Sequence, residues 1–131
     1  MRAPALLRAV FVVHGLITLA GAVVLVAFPT AIPSAVGIAI TRPQYLLVYL
    51  VAAAELAIAM LSFGAARLTD PAALLLVVTT LVVLHGASGI LDLIYMGVTE
   101  VNGTMIANTV ARFTVVAVFL VVWRLARPHH T

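Results

Sequence analysis

Apolar residues fill four long stretches of the chain almost without a break, and polar residues collect between them. A helix needs about 20 mostly apolar residues to cross a bilayer. The pattern predicts four such spans, over 6–28, 43–66, 71–96 and 104–127. Proline marks their limits. Pro29 and Pro33 follow the first span, Pro43 suits the start of the second, and Pro128 follows the fourth. Asp70-Pro71 reads as an N-cap with a first-turn proline, opening the third. The runs are too long, and too poor in turn signals, for barrel strands that alternate over about ten residues. A helix also satisfies its own backbone groups in lipid. The expected fold is all-α: one transmembrane domain over 1–131, arranged as an up-down four-helix bundle with short connections.

Composition agrees. Of 131 residues, 65% are hydrophobic and 8% charged, and the mean hydropathy is +1.27. A soluble domain is about half apolar and a quarter charged. A soluble globular protein, a disordered tail and a nucleic-acid-binding domain are therefore excluded. The chain has no Cys, which excludes disulfides, thiolate metal sites, Fe–S clusters and cysteine nucleophiles.

The net charge of +3 comes from seven arginines, no lysine and four acids. Arg2, Arg8, Arg67, Arg124 and Arg127 flank one end of the four spans. Arg42 alone stands at the other end, with Glu100. The positive-inside rule then puts both termini in the cytoplasm, as for a bacterial inner-membrane protein. The outer loops are 29–42 and 97–103, and the inner turn is 67–70. The first span has Ala20-Gly21-Ala22 as a signal-peptidase-like site, but its apolar run continues past it, as a true span does. Asn102-Gly103-Thr104 matches a glycosylation sequon in a short loop beside the bilayer. His129 and His130 are left out of any site. Val12-Val13-His14-Gly15 is faintly repeated as Val82-Val83-Leu84-His85-Gly86.

Ionisable residues inside a span mark a functional site by default. Here they are His14, Glu55, His85, Asp92 and Arg112, with Ser88 and Asn108 beside them. At about 1.5 Å rise per residue, Glu55 and His85 lie roughly 18 Å from the outer helix ends and His14 roughly 21 Å. Asp92 and Arg112 lie higher, within roughly 7–13 Å. His85, Ser88 and Asp92 are spaced i, i+3, i+7, and Asn108 and Arg112 i, i+4, so each set shares a helix face. The expectation is one outward-opening pocket, with Asp92 and Arg112 at its mouth and His14, Glu55 and His85 at its floor. Tyr49 and Tyr95 stand near the outer interface.

Each residue also has a structural reading. Asp92 and Arg112 make an ion pair that neither could do without in lipid. An intramembrane histidine is often a hydrogen-bonded packing residue. The glycines Gly15, Gly21, Gly86 and Gly89 let helices approach closely. Glu55 is the hardest to explain as structure. A carboxyl at mid-bilayer is expected to be protonated or paired, and a protonated one is an acid ready to donate.

That residue set suits acid–base work on a lipophilic, isoprenoid-like molecule. Glu55 or Asp92 would donate a proton, with His85 orienting it or acting as base. His14, Ser88, Asn108, Arg112, Tyr49 and Tyr95 would bind substrate. Aromatic rings such as Tyr49, Phe63, Tyr95 and Phe113 would shield a cationic intermediate. Four short spans and a tight second-to-third turn, most of all the stretch from Tyr45 to Arg67, resemble the DoxX-like small bacterial membrane proteins. That resemblance implies the fold. The intramembrane acids Glu55 and Asp92 are similar to those of small membrane-embedded terpene cyclases, which implies a cyclase or isomerase without a cofactor. His14 and His85 are predicted by neither resemblance. They support an alternative, a bis-histidine haem b carrier with Arg112 at a propionate, or with Glu55 a metal site. A third alternative is a small transporter or an assembly subunit. On the main reading too, small-residue faces suit self-association into a homo-oligomer.

Overall fold

The computed structural model describes residues 5–126. Arg2, Arg127, Pro128, His129 and His130 lie outside the described residues. The helices are α1 (Ala5–Ala27), α2 (Ala31–Ala35), α3 (Tyr45–Ala65), α4 (Pro71–Met96) and α5 (Gly103–Ala126). A 3-10 turn over Arg42–Gln44 leads into α3. The helices α1, α3, α4 and α5 are each long and apolar enough to cross a membrane. No strand occurs among the described residues.

The sequence signals at the helix ends do what their chemistry allows. The Asp70 carboxylate accepts from the backbone N–H groups of Ala72 (3.4 Å) and Ala73 (2.9 Å), and Pro71 opens α4. Asn102 Oδ1 accepts from the Met105 N–H at 2.9 Å, so the asparagine of the sequon caps α5. Two expectations change. The connection over 29–42 is not a plain loop, because it contains α2. Gly37 follows α2 with φ +79°, a conformation open to glycine, and turns the chain back over the bundle end. Pro43 lies in the 3-10 turn rather than in the first turn of α3. The turn is closed by Gln44, whose Oε1 accepts from the Thr41 N–H at 2.7 Å. A proline fits either position, since neither needs its N–H.

The helices associate most closely as two pairs, α1 with α3 and α4 with α5. Each has an inward stripe at three- and four-residue steps. Buried or half-buried positions run Leu7, Phe11, His14, Thr18, Ala22, Leu25 on α1, and Val48, Ala52, Glu55, Ala59, Ser62 on α3. On α4 they run Leu74, Val78, Leu81, His85, Ser88, Asp92, and on α5 Met105, Thr109, Arg112, Phe119, Val122. His14, Glu55, His85, Ser88, Asp92 and Arg112 therefore stand on inward faces, while Asn108 is exposed. One end of the bundle closes on an apolar cluster that joins both pairs, through Leu7, Phe11, Ala65, Leu74, Val78, Leu81 and Phe119. A smaller cluster of Leu25, Val48 and Ala52 joins α1 to α3 towards the other end.

In lipid, an apolar side chain gains little by moving from acyl chains to the protein interior, so the cost of truncation is mostly the cavity left behind. Phe11→Ala, at a fully buried position, is expected to destabilise the fold by about 2 kcal/mol, the cost of a cavity of roughly 100 Å³. Leu16→Ala, on the outward face, is expected to change stability by less than about 0.5 kcal/mol. Denaturant unfolding in detergent micelles measures both.

Candidate functional site

Two polar constellations form, one at each of two depths. The upper one belongs to α4 and α5. Asp92 Oδ2 accepts from Arg112 Nε at 2.9 Å and from Asn108 Nδ2 at 2.9 Å. The i, i+4 spacing of Asn108 and Arg112 brings both donors to one oxygen. Arg112 and Asp92 are each about a third exposed (29% and 30%). Among the described residues, Asp92 Oδ1 and the two terminal amino groups of Arg112 enter no hydrogen bond.

These groups line a cavity of about 580 Å³. Its walls are Asp92, Tyr95 and Met96 from α4, Thr104, Met105, Asn108 and Arg112 from α5, and the α2 segment through Ile32, Val36 and Ile38. The α2 residues are apolar or small, so the segment forms a greasy wall opposite the ion pair. That volume is in the range of small-molecule sites, roughly 300–1,000 Å³.

The lower constellation links α1, α3 and α4. Ser62 Oγ donates to the Ile58 carbonyl one turn back, at 2.9 Å. It then accepts from His14 Nδ1–H at 2.8 Å. His14 Nε2 is thereby left as an acceptor, and His85 Nε2–H donates to it at 2.8 Å. The two rings meet edge to face, with centroids 5.0 Å apart. Phe119 packs edge-on against His14 at 5.4 Å. His85 Nδ1 is buried without a hydrogen-bond partner among the described residues.

Glu55 stands half-buried on the inner stripe of α3, facing the bundle rather than lipid. Both Glu55 and His85 lie within electrostatic reach of Arg112. The cavity around the ion pair does not extend to the lower layer. The mouth exists, with Asp92, Asn108, Arg112 and Tyr95 on its walls. His14, Glu55, His85, Ser88 and Tyr49 are not on them. The Phe113 ring packs over Gly89, where an added Cβ would lie 2.9 Å from it. Gly89 falls between His85 and Asp92 on α4, so an aromatic ring stands against the helix between the two layers. Tyr49 instead stacks edge-on with Tyr45, at 6.4 Å.

Haem ligation does not fit the lower layer. Axial nitrogens on opposite faces of a haem stand about 4 Å apart, twice a metal–nitrogen bond of about 2 Å. The two Nε2 atoms are 2.8 Å apart and bonded to each other. The Phe63 ring already occupies the space over Gly15, beside His14. A Cβ on Gly15 would lie 2.7 Å from the Phe63 ring, and one on Gly86 would lie 3.9 Å from Val116. The described residues also bring no three His, Cys, Asp or Glu side chains together as a metal site. Below His14 and Ser62 the apolar cluster fills the bundle.

Reasoning from sequence missed Ser62, the partner of His14. It stands seven residues after Glu55 on the same stripe, a spacing that could have found it. It also missed the α2 wall, for which no periodic signal exists. Comparison with known proteins finds no matching family model, no similar curated protein and no similar solved structure.

Two measurements test this geometry. Imidazole ¹⁵N chemical shifts should show His14 protonated at Nδ1 and His85 at Nε2, and Ser62→Ala should disturb His14 more than His85. In a double-mutant cycle of Asp92→Ala and Arg112→Ala, the coupling energy should be about 1–2 kcal/mol. That is below the full value of a buried pair, because water reaches both groups.

Proposed function

We propose that the protein is a four-span, up-down membrane protein, termini inside, that acts on a lipophilic, isoprenoid-like molecule by proton transfer. Arginine placement supports the orientation, and supports a bacterial inner membrane as the setting. The observation that carries the functional reading is the Asp92–Arg112 pair on the wall of an otherwise mostly apolar cavity. Apolar walls select a lipophile, and the pair gives it one polar anchor and one proton acceptor.

Of the two reaction types such a site suggests, the geometry favours isomerisation over cyclisation. A cyclase must shelter a carbocation, and the guanidinium of Arg112 disfavours one nearby. An isomerase that moves a proton next to a carbonyl has the opposite need. Asp92 Oδ1 takes the proton from the carbon beside the carbonyl, and the electron pair shifts on to the carbonyl oxygen. The terminal N–H groups of Arg112 hold that developing oxyanion. The Asp92 acid so formed exchanges its proton with water, and a proton delivered from it to the far carbon of the new dienolate moves the double bond and restores the carboxylate. Asn108 donates to the same Oδ2 as Arg112 and helps hold Asp92 in place. Glu55 and His85 lie beneath the cavity wall and set the field around Arg112, as positioning residues.

The test uses the full chain in liposomes with a farnesyl-chain β,γ-unsaturated ketone as probe. Conversion to the conjugated isomer is read by ultraviolet absorbance, and solvent deuterium uptake by NMR. Asp92→Asn should lower the rate at least about 100-fold, the lower range for loss of a general base. Arg112→Lys, which keeps the charge but loses the fork, should retain only part of it. Turnover undiminished in Asp92→Asn, or binding of the ketone without any exchange, overturns the reading.

A further inference from the structure

A second cavity, of about 570 Å³, opens at the end of the bundle away from the Asp92 pocket. It lies between α1 and α3 and is lined by Ala5, Arg8, Ala9, Val12, Val13, Phe63, Ala66 and Arg67. Arg8 is one turn into α1, and Arg67 stands two residues after the last residue of α3. Both sit where a helix end meets the headgroup layer. Arg8 Nε donates to the Ala66 carbonyl at 2.9 Å, which ties down its side chain and spares its terminal amino groups. Neither guanidinium enters an ion pair among the described residues. Asp70, the acid nearest in sequence, is occupied in capping α4.

Below the two arginines the walls turn apolar. Ala9 and Val13 form one i, i+4 row on α1, and Val12 stands one turn below Arg8. Val12 and Val13 are exposed (41% and 55%), so this wall faces the bilayer. Phe63 stands one turn before Arg67 on α3 and packs over Gly15, which closes the floor of the groove. Two cations at the interface above a groove that runs into the hydrocarbon complement one molecule in both charge and polarity: an anion with an acyl chain.

We propose that this groove binds an anionic phospholipid, its phosphate between Arg8 and Arg67 and the first methylenes of one acyl chain along Val12, Val13 and Phe63. Basic pockets at the ends of membrane helices hold such headgroups through charge-assisted hydrogen bonds. The proposal is independent of the chemistry at Asp92.

The test is thermal unfolding of the full chain in a non-ionic detergent, with added phosphatidylglycerol, phosphatidylcholine or inorganic phosphate. Native mass spectrometry of the same samples reads retained lipid. Phosphatidylglycerol should raise Tm by roughly 3–5 °C at saturation, and phosphatidylcholine and inorganic phosphate should not. Arg67→Gln, which removes no described bond, should cut the shift by half or more and still fold. Val12→Trp fills the groove with both arginines intact and should abolish it. An equal shift from inorganic phosphate would show a headgroup site without a chain. An equal shift from phosphatidylcholine would show no charge selection. Wild-type shifts in Arg67→Gln and Val12→Trp would place the lipid elsewhere, and no shift in wild type would deny the site. Each of these outcomes overturns the proposal.

Discussion

The hydrogen bond from His85 Nε2 to His14 Nε2 joins the two helix pairs in mid-span. The other side-chain bonds between helices named above stay within one pair: Arg8 to Ala66 and His14 to Ser62 in the first, Asp92 to Asn108 and Arg112 in the second. Lipid offers helices no hydrophobic reason to meet, so packing and polar bridges must supply one. A hydrogen bond between membrane helices is worth only about 0.6–2 kcal/mol. Leu7, Phe11, Leu81 and Phe119, close-packed at the seam, therefore carry more of the cohesion. What the histidine bond adds is register. It fixes the rotation and height of α1 against α4. With that rotation set, the same α4 stripe presents Asp92 inward two turns above.

The bundle is consequently unlike at its two ends. Towards the α2 end, polar groups line a cavity open to the surroundings. Towards the other, the seam is filled by aliphatic and aromatic side chains. A path for ions or protons through the bundle would have to cross that filling, in which Leu7, Phe11, Leu81 and Phe119 are almost fully buried. The polar column serves one side only. The cavity at Asp92 lies between the α2 segment and the ends of α4 and α5, so a molecule reaching Asp92 would enter at that end of the bundle.

Much of this was legible in the sequence. The long helices follow from four apolar runs, and the start of α4 follows from Asp70-Pro71, because cap and proline act locally. Inward facing was legible too. Spacings of three, four and seven put His85, Ser88 and Asp92 on one face whatever the tertiary structure. The joining of two layers into one pocket was not. Depth along each helix says how far a residue lies from its own end, not what stands between it and a neighbour. The Phe113 ring over Gly89 decides that, and a ring's direction is set by tertiary packing. The short α2 was illegible for another reason: five residues that include Pro33 are too few to show a period. Gly15 was read as close helix packing, and the close approach is there, but it is made by a side chain, Phe63.

The ion pair also constrains chemistry through its direction as a dipole. Paired, Asp92 and Arg112 are nearly neutral at a distance, so a lipophile is not repelled on entry. Within bonding distance the two ends differ. A carbocation about 5 Å from the guanidinium meets a repulsion of about 3 kcal/mol from that group at an effective dielectric near 20, which the Asp92 carboxylate offsets except where the guanidinium is the nearer end of the pair. One aromatic face returns only about 0.5–2 kcal/mol, and Tyr95 is the one aromatic on the wall. Moving a proton to Asp92 reverses the balance. The carboxylate loses its charge as the substrate oxygen gains one, and Arg112 exchanges one anionic partner for another without moving far. In the proposed reaction, the pair that holds α4 to α5 is also the device that follows the charge as it moves.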